Sequence, residues 1–318
     1  MSSSELDLKA SKLEREAESK SHGFFKNFSK SAELYVKAAE TYKMSKNRDL
    51  SAKCYKNAAD MLKQTEKDDK YNSIRKNLCN AADMLKTYDY VETLKILKEI
   101  EEIDRSIMPN PMALITTEIE IGEMHFQLAQ YDDARQYYES AAERLDAEGE
   151  KPTKASQCYK QLGLIQAKHL RNYAAAAKSF KKATELYLKN TLTQSAATEI
   201  IFNYGLCLIA AEIMGSTDEG SSSSSSPSSS ESTTPDFNKL ATALSQHPFN
   251  ETSFTFQRHS GFLNKTISAL KEDSAENYKA AIGYLCTTVT ISDLQTDLML
   301  LIRKYLEHTL PSEESSGL

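Results

Sequence analysis

The sequence predicts an all-α protein built from repeated helical hairpins. Its 318 residues include only 10 glycines and 7 prolines, too few for a fold made of many strands and turns. A small-x3-aromatic-x3-small pattern also recurs, with starts at 134, 155, 176 and 197 that lie 21 positions apart. Residues at i, i+4 and i+8 share one helical face, so each step is one helix plus a turn, and two steps make 42 residues. This period predicts a tetratricopeptide-like helical-hairpin solenoid, a twisted sheet of antiparallel helices, followed by a C-terminal helical bundle. The four copies are Ala134-Tyr138-Ala142, Ala155-Tyr159-Gly163, Ala176-Phe180-Thr184 and Ala197-Ile201-Gly205, the last with an aliphatic centre.

The first helices carry earlier copies of the same pattern. A helix is predicted from Leu6 to Ser21, and a glycine and three phenylalanines then form a short connection at 22–29. A second helix is predicted from Lys30 to Ser45. The copies are Ser31-Tyr35-Ala39, Ser51-Tyr55-Ala59 and a weaker Ser73-Asn77-Ala81 without a ring.

Prolines mark helix ends and helix starts in the middle of the chain. An amphipathic helix is predicted from Tyr90 to Asp104, and the Met108–Met112 stretch, with two prolines, must interrupt it. A helix from Ala113 to Ala129 follows. Pro152 stands where a proline in the first turn of the next helix belongs.

The chain is predicted to divide into four regions. Residues 1–214 form the repeat domain, ending in a helix from Ser195 to Met214, and residues 215–236 form a serine-rich insertion that cannot bury a core. Residues 237–310 form the C-terminal bundle, and residues 311–318 form an acidic flexible tail. Helices in the bundle are predicted at Phe237–Gln246, Thr252–Leu270, Ala275–Thr288 and Asp293–His308.

Composition favours a cytosolic protein. Hydrophobic residues make up 40% and charged residues 26% of the chain, as in a folded soluble protein with much surface. The five cysteines are dispersed without a C-x-x-C pair, which indicates thiols in a reducing compartment. The N-terminus lacks a signal sequence, and we expect no run of 18 apolar residues that could span a membrane.

No catalytic motif is visible. The sequence has neither G-x-x-x-x-G-K-[ST] nor G-x-G-x-x-G, and its six histidines lie far apart, outside any metal-ligand spacing. We therefore expect no enzyme activity, no cofactor and no metal.

Charge is unevenly distributed. Residues 151–190 hold nine Lys and Arg against Glu185 alone, whereas residues 92–150 hold fifteen acids against five bases. A charge run is most often a solvated face, but such an excess in a protein of net charge −6 favours an electropositive surface for an acidic partner. No aromatic-rich basic motif supports nucleic acid as that partner.

The phenylalanine connection has two interpretations. Phe24, Phe25 and Phe28 could pack the first helix against the second, as buried phenylalanines usually do. Alternatively, the rings could enter a lipid headgroup layer or a partner bundle, since lysines flank them and suit an anionic bilayer.

The order and spacing of several segments resemble the SNAP family, the soluble NSF attachment proteins, most closely the alpha type. The segments are Gly23-Phe24-Phe25 after an amphipathic helix, Tyr35–Ala39, Tyr42–Asn47, Asp133–Ala142, Ala155–Cys158, Gly205–Cys207, Asp293–Lys304 and the acidic tail.

This resemblance implies a non-enzymatic adaptor, peripheral on membranes of the secretory or endocytic pathway. It would bind assembled SNARE four-helix bundles and recruit and stimulate the AAA ATPase NSF for SNARE disassembly in vesicle trafficking and membrane fusion. The implied residues are Phe24, Phe25 and Phe28 for membrane contact, Lys154, Lys160 and Lys168 for SNARE binding, and Glu212, Glu272, Glu313, Glu314 and Leu318 for NSF binding.

The chain also departs from the family pattern. Gln157, Gln161 and a position near Thr116 stand where the family has SNARE-facing lysines, and Gln295 replaces a usual tryptophan. Ser268 and Lys271 replace residues beside the family's acidic positions. The alternative function is a general tetratricopeptide-like scaffold for another acidic helical or peptide partner.

Overall fold

The computed structural model confirms an all-α fold. It describes residues 2–22, 26–66, 70–107, 109–188, 194–218, 235–246, 254–286 and 290–309, which form fourteen α-helices and no β-strand. The helices are α1 (Ser3–His22), α2 (Phe28–Met44), α3 (Arg48–Lys63), α4 (Lys70–Leu85), α5 (Tyr90–Glu102), α6 (Pro111–Gln127), α7 (Tyr131–Glu148), α8 (Pro152–Leu164), α9 (Tyr173–Leu188), α10 (Gln194–Asp218), α11 (Phe237–Gln246), α12 (Phe254–Lys271), α13 (Ala275–Cys286) and α14 (Asp293–Thr309).

The chain forms two compact units, Met1–Arg144 and Leu145–Leu318. In the first, each helix packs on the next from α1 to α6, as helical hairpins in series require. In the second, α8 packs on α9 and α9 on α10, while α12 and α14 both pack on α10. Each unit has its own hydrophobic core.

The small-aromatic-small pattern lies in these cores. Every member of the four strong copies is buried except the half-buried Tyr159. Small residues leave room for a ring from the adjacent helix: a Cβ on Gly163 would approach the Phe180 ring to 2.8 Å, and one on Gly122 would approach Tyr138 to 3.3 Å. The glycines therefore fix the distance between neighbouring helices.

Buried hydroxyls tie the helices together at similar places. Ser31 donates to the Ala17 carbonyl at 2.8 Å, Ser51 to the Ala39 carbonyl at 2.9 Å, and Ser156 to the Ala183 carbonyl at 2.6 Å. Serine at a close approach satisfies its hydroxyl on the backbone of the neighbouring helix, so it can replace alanine there without leaving a buried polar group unpaired.

The predicted helix ends are largely where the sequence placed them. Pro111 and Pro152 begin α6 and α8, and the Asn110 side chain caps α6 by accepting from the Ala113 N–H at 3.0 Å. The helix predicted over Tyr90–Asp104 ends as an α-helix at Glu102 and continues as a π-helical turn from Ile103 to Ile107.

That π turn has a counterpart in the second unit, at Ile165–His169. Each turn buries one polar side chain that bonds to the residue 13 positions later. Asp104 accepts from Thr117 at 3.0 Å, and Gln166 accepts from Ser179 at 2.7 Å. Arg75 neutralises Asp104 with two further bonds of 2.5 and 3.0 Å.

The expectation that the chain has no run of 18 apolar residues is corrected by helix α10. Its segment Ala197–Gly215 is, among the residues that the structure covers, the one helix long and apolar enough to cross a membrane. Most of the segment is buried inside the second unit, where Phe202, Leu206 and Ile209 belong to the core. The apolar composition of α10 follows from its burial, because α9, α11, α12 and α14 all pack on it.

The four predicted regions stay a prediction. Helix α10 runs to Asp218, beyond position 214, and α11 begins at Phe237 as expected. Residues 219–234 of the insertion, residue 310 of the bundle and residues 311–318 of the tail lie outside the described residues.

Candidate partner-binding surfaces

The basic segment forms α8, the π turn after it and α9. Small and apolar residues of α9 face the core at every third or fourth position, so its lysines are left towards solvent. Of the segment's nine cations, Lys189 lies outside the described residues. Lys151, Lys168, Arg171, Lys178 and Lys181 are exposed, and Lys154, Lys160 and Lys182 are half-buried.

Two of the three predicted SNARE-contact lysines form ion pairs within the second unit. Lys160 Nζ lies 3.0 Å from Glu199 of α10, and Lys168 Nζ lies 3.5 Å from Asp293 at the start of α14. Lys154 lies near Cys158 and offsets part of the effect of burial on that thiol, whose pKa is raised to about 11. Exposed pairs contribute only about 0.2–1 kcal/mol, so Lys160 and Lys168 can change partners at small cost.

Helix α9 presents cations that the predicted site did not include. Arg171, before the helix, and Lys178 and Lys181 on it are exposed, and none forms an ion pair with another described residue. Lys178 and Lys181 are three positions apart and share a face. The excess of positive charge in the sequence of this segment pointed to these cations, but the sequence could not distinguish lysines that form ion pairs from those that do not.

The first unit neutralises many of its lysines internally. Lys53 pairs with Glu14 at 3.1 Å, and this contact raises the lysine's pKa. Lys63 pairs with Glu99 at 2.6 Å, and Lys56 forms a close pair with Glu92 that lowers the pKa of that carboxyl. These partners lie 36–39 residues apart, so each pair joins a helix to the second-next one.

The phenylalanine connection is closed at its base. The Asn27 N–H donates to the Lys20 carbonyl at 2.9 Å, and the Asn27 side chain caps α2 by accepting from the Lys30 N–H at 2.9 Å. Phe28 is half-buried as the first residue of α2, whereas Phe24 and Phe25 lie outside the described residues. Lys20, Lys26 and Lys30 around the connection are all exposed.

The predicted ATPase-binding acids lie in separate elements. The Glu212 carboxylate in α10 accepts from the N–H of Asp236, the residue before α11, at 2.7 Å. Glu272, just after α12, is exposed and accepts from Asn277 at 2.6 Å. Glu313, Glu314 and Leu318 lie outside the described residues.

Gln295, which departs from the family pattern, has two structural contacts. Its side chain accepts from the Ser292 N–H at 3.0 Å, while Ser292 Oγ accepts from the Gln295 N–H at 3.4 Å, a capping box at the start of α14. The same side chain donates to Asn203 of α10 at 2.8 Å inside the core. The hydrogen-bonded pair Gln295–Asn203 thus lies in the core between α14 and α10, where two apolar side chains could pack instead.

Reactive groups are not gathered anywhere in the part of the chain that the structure covers. It contains no group of three or more His, Cys, Asp or Glu side chains that could hold a metal ion. Burial raises the pKa of Cys54 and of Cys207 to about 12, which keeps both thiols protonated and unreactive.

Several solved structures are similar to this chain. BtubC (BKLC) from P. vanneervenii is 14% identical with a TM-score of 0.45, over 73% of this chain and 98% of that one. RapI in its apo form is 16% identical with a TM-score of 0.45, over 92% and 90%. A signal-transduction ATPase with a tetratricopeptide repeat sensor from Pyrococcus horikoshii is 15% identical with a TM-score of 0.47, over 88% of this chain but 39% of that one.

The curated proteins contain no match. In contrast, the sequence model of the SNAP family, described as "Soluble NSF attachment protein, SNAP", matches residues 7–232. That range includes the phenylalanine connection, both π turns and the basic helices α8 and α9. The chain therefore belongs to the SNAP family of soluble NSF attachment proteins.

Proposed function

We propose that this SNAP family adaptor binds assembled SNARE four-helix bundles and recruits an NSF-type AAA ATPase to disassemble them. The observation that carries the proposal is the family match over residues 7–232. The family consists of non-enzymatic, soluble proteins that associate peripherally with membranes. In this proposal the protein acts in the cytoplasm, at membranes of the secretory or endocytic pathway, during vesicle trafficking and fusion.

The SNARE bundle would bind the basic surface of α8 and α9. Lys178 and Lys181 support this assignment because they are exposed and form no ion pair with another described residue. Lys154, Lys160 and Lys168 would contribute next to them, and Lys160 would exchange Glu199 for an acid of the bundle. Attraction between exposed charges weakens with salt, so binding should fall as ionic strength rises.

The phenylalanine connection would hold the adaptor on the membrane. Phe24 and Phe25, with Phe28 at the start of α2, would enter the headgroup layer, and Lys20, Lys26 and Lys30 would face anionic lipids. The base of this connection is fixed by the Asn27–Lys20 hydrogen bond, and Lys26 beside it is exposed.

The ATPase would be recruited by acids of the second unit and the tail. Glu272 is exposed beside the α12–α13 turn, while Glu212 accepts a hydrogen bond from the Asp236 N–H. Glu313, Glu314 and Leu318 would complete this surface. Because Glu212 already satisfies a backbone N–H, we assign it a smaller share of the binding free energy than Glu272.

The central test is disassembly of a purified SNARE complex by NSF and ATP, with and without this protein. We expect disassembly only when the protein is present. Lys178→Glu with Lys181→Glu should weaken SNARE binding about tenfold, whereas Lys279→Glu, an exposed lysine of α13, serves as the matched control. No disassembly by the unaltered protein, or equal losses in both variants, contradicts the proposal.

Two further variants separate the other surfaces. Removing residues 313–318 should abolish stimulation of the ATPase while SNARE binding is retained. Phe24→Ser with Phe25→Ser should reduce binding to anionic liposomes and leave solution SNARE binding intact. If SNARE bundles do not bind but another acidic helical peptide does, the general scaffold function replaces this proposal.

A further inference from the structure

A groove in the second unit runs along α14, and of its lining residues only Lys168 also belongs to the proposed SNARE-binding surface. It has a volume of about 560 Å³ and lies between α14, the end of α10 and the π turn at Ile165–His169. We call it the α14 groove. On its α14 side, Asp297, Leu301, Lys304 and His308 follow one another at three- and four-residue spacing, so they form one continuous stripe.

The groove combines apolar side chains with a basic rim. Leu300 is 47% exposed and Leu301 is half-buried, whereas Leu294, Leu298 and Ile302 of the same helix are buried. Lys168, Arg171 and Lys304 border the groove, and Asp297 is the one acid among its lining residues. Lys168 also approaches Asp293, which is 90% exposed, at the long distance of 3.5 Å. The rim therefore has an excess of positive charge beside apolar surface, which suits an acidic segment that carries leucines.

The tail of this chain has that chemistry. Residues 310–318 read Leu-Pro-Ser-Glu-Glu-Ser-Ser-Gly-Leu, with two acids and no base. Leu310 and the tail follow directly after α14, which ends at Thr309, and His308 and Lys304 in its last turns already line the groove. From the sequence we expect Pro311 to end the helix, since proline lacks the N–H that the next turn needs.

The tail is long enough to cover the groove. The lining residues of α14 extend from Leu294 to His308, a distance of roughly 21 Å at 1.5 Å per residue. If residues 310–312 reverse the chain direction, the six residues 313–318 reach about 20 Å when extended. Glu313 and Glu314 would then pass Lys304 first, and Leu318 would lie towards Lys168 and Arg171.

We propose that residues 310–318 fold back into the α14 groove and that this intramolecular contact masks Glu313, Glu314 and Leu318. The contact goes beyond the adaptor function, since it requires neither a SNARE bundle nor an ATPase. Its consequence is regulatory: a partner must displace the tail before the tail residues become accessible. A second acidic helix or peptide that enters the same groove would release the tail by competition.

The test measures binding of a fluorescein-labelled peptide of residues 310–318 to the full-length protein by fluorescence anisotropy. In the unaltered protein the covalent tail competes at an effective concentration of the order of mM, so peptide binding is weak. In the Glu313→Lys, Glu314→Lys protein the covalent tail is positively charged and is repelled by the basic rim. The added peptide then has no intramolecular competitor and should bind at least about tenfold more tightly.

Two variants made in the tail-altered protein locate the binding site. Lys304→Glu should remove most of the gain, whereas Lys279→Glu, outside the groove, should leave it unchanged. Circular dichroism confirms that each variant is folded, as expected for exposed lysines. Equal peptide binding by the unaltered and tail-altered proteins, no binding by either, or equal losses in the two lysine variants would overturn the proposal. The experiment contains no SNARE or ATPase, so its result is independent of the adaptor function.

Discussion

Gly163 in α8 lies where a single added methyl group would collide with the core of the second unit. A Cβ built on Gly163 would be 2.8, 2.9 and 2.9 Å from three atoms of the Phe180 ring in α9. Phe180 is fully buried, so any movement of its ring would disturb the side chains packed around it. We therefore expect Gly163→Ala to separate α8 from α9 or to force Phe180 away from its preferred rotamer.

Two opposing effects set the magnitude. Overpacking of a filled core costs about 1–3 kcal/mol. Alanine in a helix is favoured over glycine by about 1 kcal/mol, which opposes that cost. The net effect is a loss of about 0–2 kcal/mol in the free energy of unfolding. Gly283 in α13 is the matched control, because its Cβ would meet no atom within 4 Å, and Gly283→Ala should stabilise by about 1 kcal/mol.

The assay is urea unfolding followed by circular dichroism at 222 nm on the full-length protein. The two alanine variants should differ by about 1–3 kcal/mol, with Gly163→Ala less stable. Phe180→Leu should remove the clash, so Gly163→Ala in that background should cost less than in the unaltered protein. If Gly163→Ala stabilises the protein as much as Gly283→Ala does, close approach of α8 and α9 does not limit this position.

Three other predictions concern stability. Ala129 has a φ of 57°, in the left-handed region, so Ala129→Gly should raise the free energy of unfolding by about 1 kcal/mol in a urea titration; a loss would contradict this. Gln295→Leu should lower the free energy of unfolding by about 2–4 kcal/mol, because the buried side-chain oxygen of Asn203 loses its donor and α14 loses a capping bond. Adding Asn203→Leu should restore part of this loss, and additive losses would argue against the pair. Burial raises the pKa of Glu118 above 4.5, although the nearby Arg144 and Arg105 act in the opposite direction. The stability that the protonated Glu118 contributes is therefore complete below pH 4.5 and is lost as the pH rises through the raised pKa. The unaltered protein should thus lose stability relative to Glu118→Gln over this range in thermal melts at stepped pH, and a constant difference would refute the assignment.

The sequence was sufficient for the helical architecture because the pattern is local. The recurrence of Ala134, Ala155, Ala176 and Ala197 depends only on the helical period, and all four are fully buried. Proline placement is equally local: Pro152 begins α8 because a first-turn proline loses no hydrogen bond.

The π turns were beyond reach from sequence. A π turn at Ile103–Ile107 differs from an α-helix by a small shift of the backbone, which the apolar pattern of α5 does not report. It is accompanied by buried contacts of Asp104 with Arg75 and Thr117, residues far along the chain.

The binding surface was predicted in part. The charge excess of residues 151–190 placed it on α8 and α9, but pairing across helices changes the weight of individual lysines. Lys160 faces Glu199, which is 39 residues away and two helices on, whereas Lys178 and Lys181 form no ion pair with any acid that the structure describes.

The sequence by itself determined that this chain is a helical repeat protein of the SNAP type, with a basic segment and a serine-rich insertion. The repeat, the basic segment and the insertion depend on spacing and composition, which can be counted along the chain, whereas the SNAP type was indicated by resemblance and by the family match. Only the tertiary structure decided which lysines stay unpaired, why Gly163 must lack a side chain, and that a basic-rimmed groove follows α14. Each of these depends on distances between helices that are remote in sequence, and such distances are set when the cores pack.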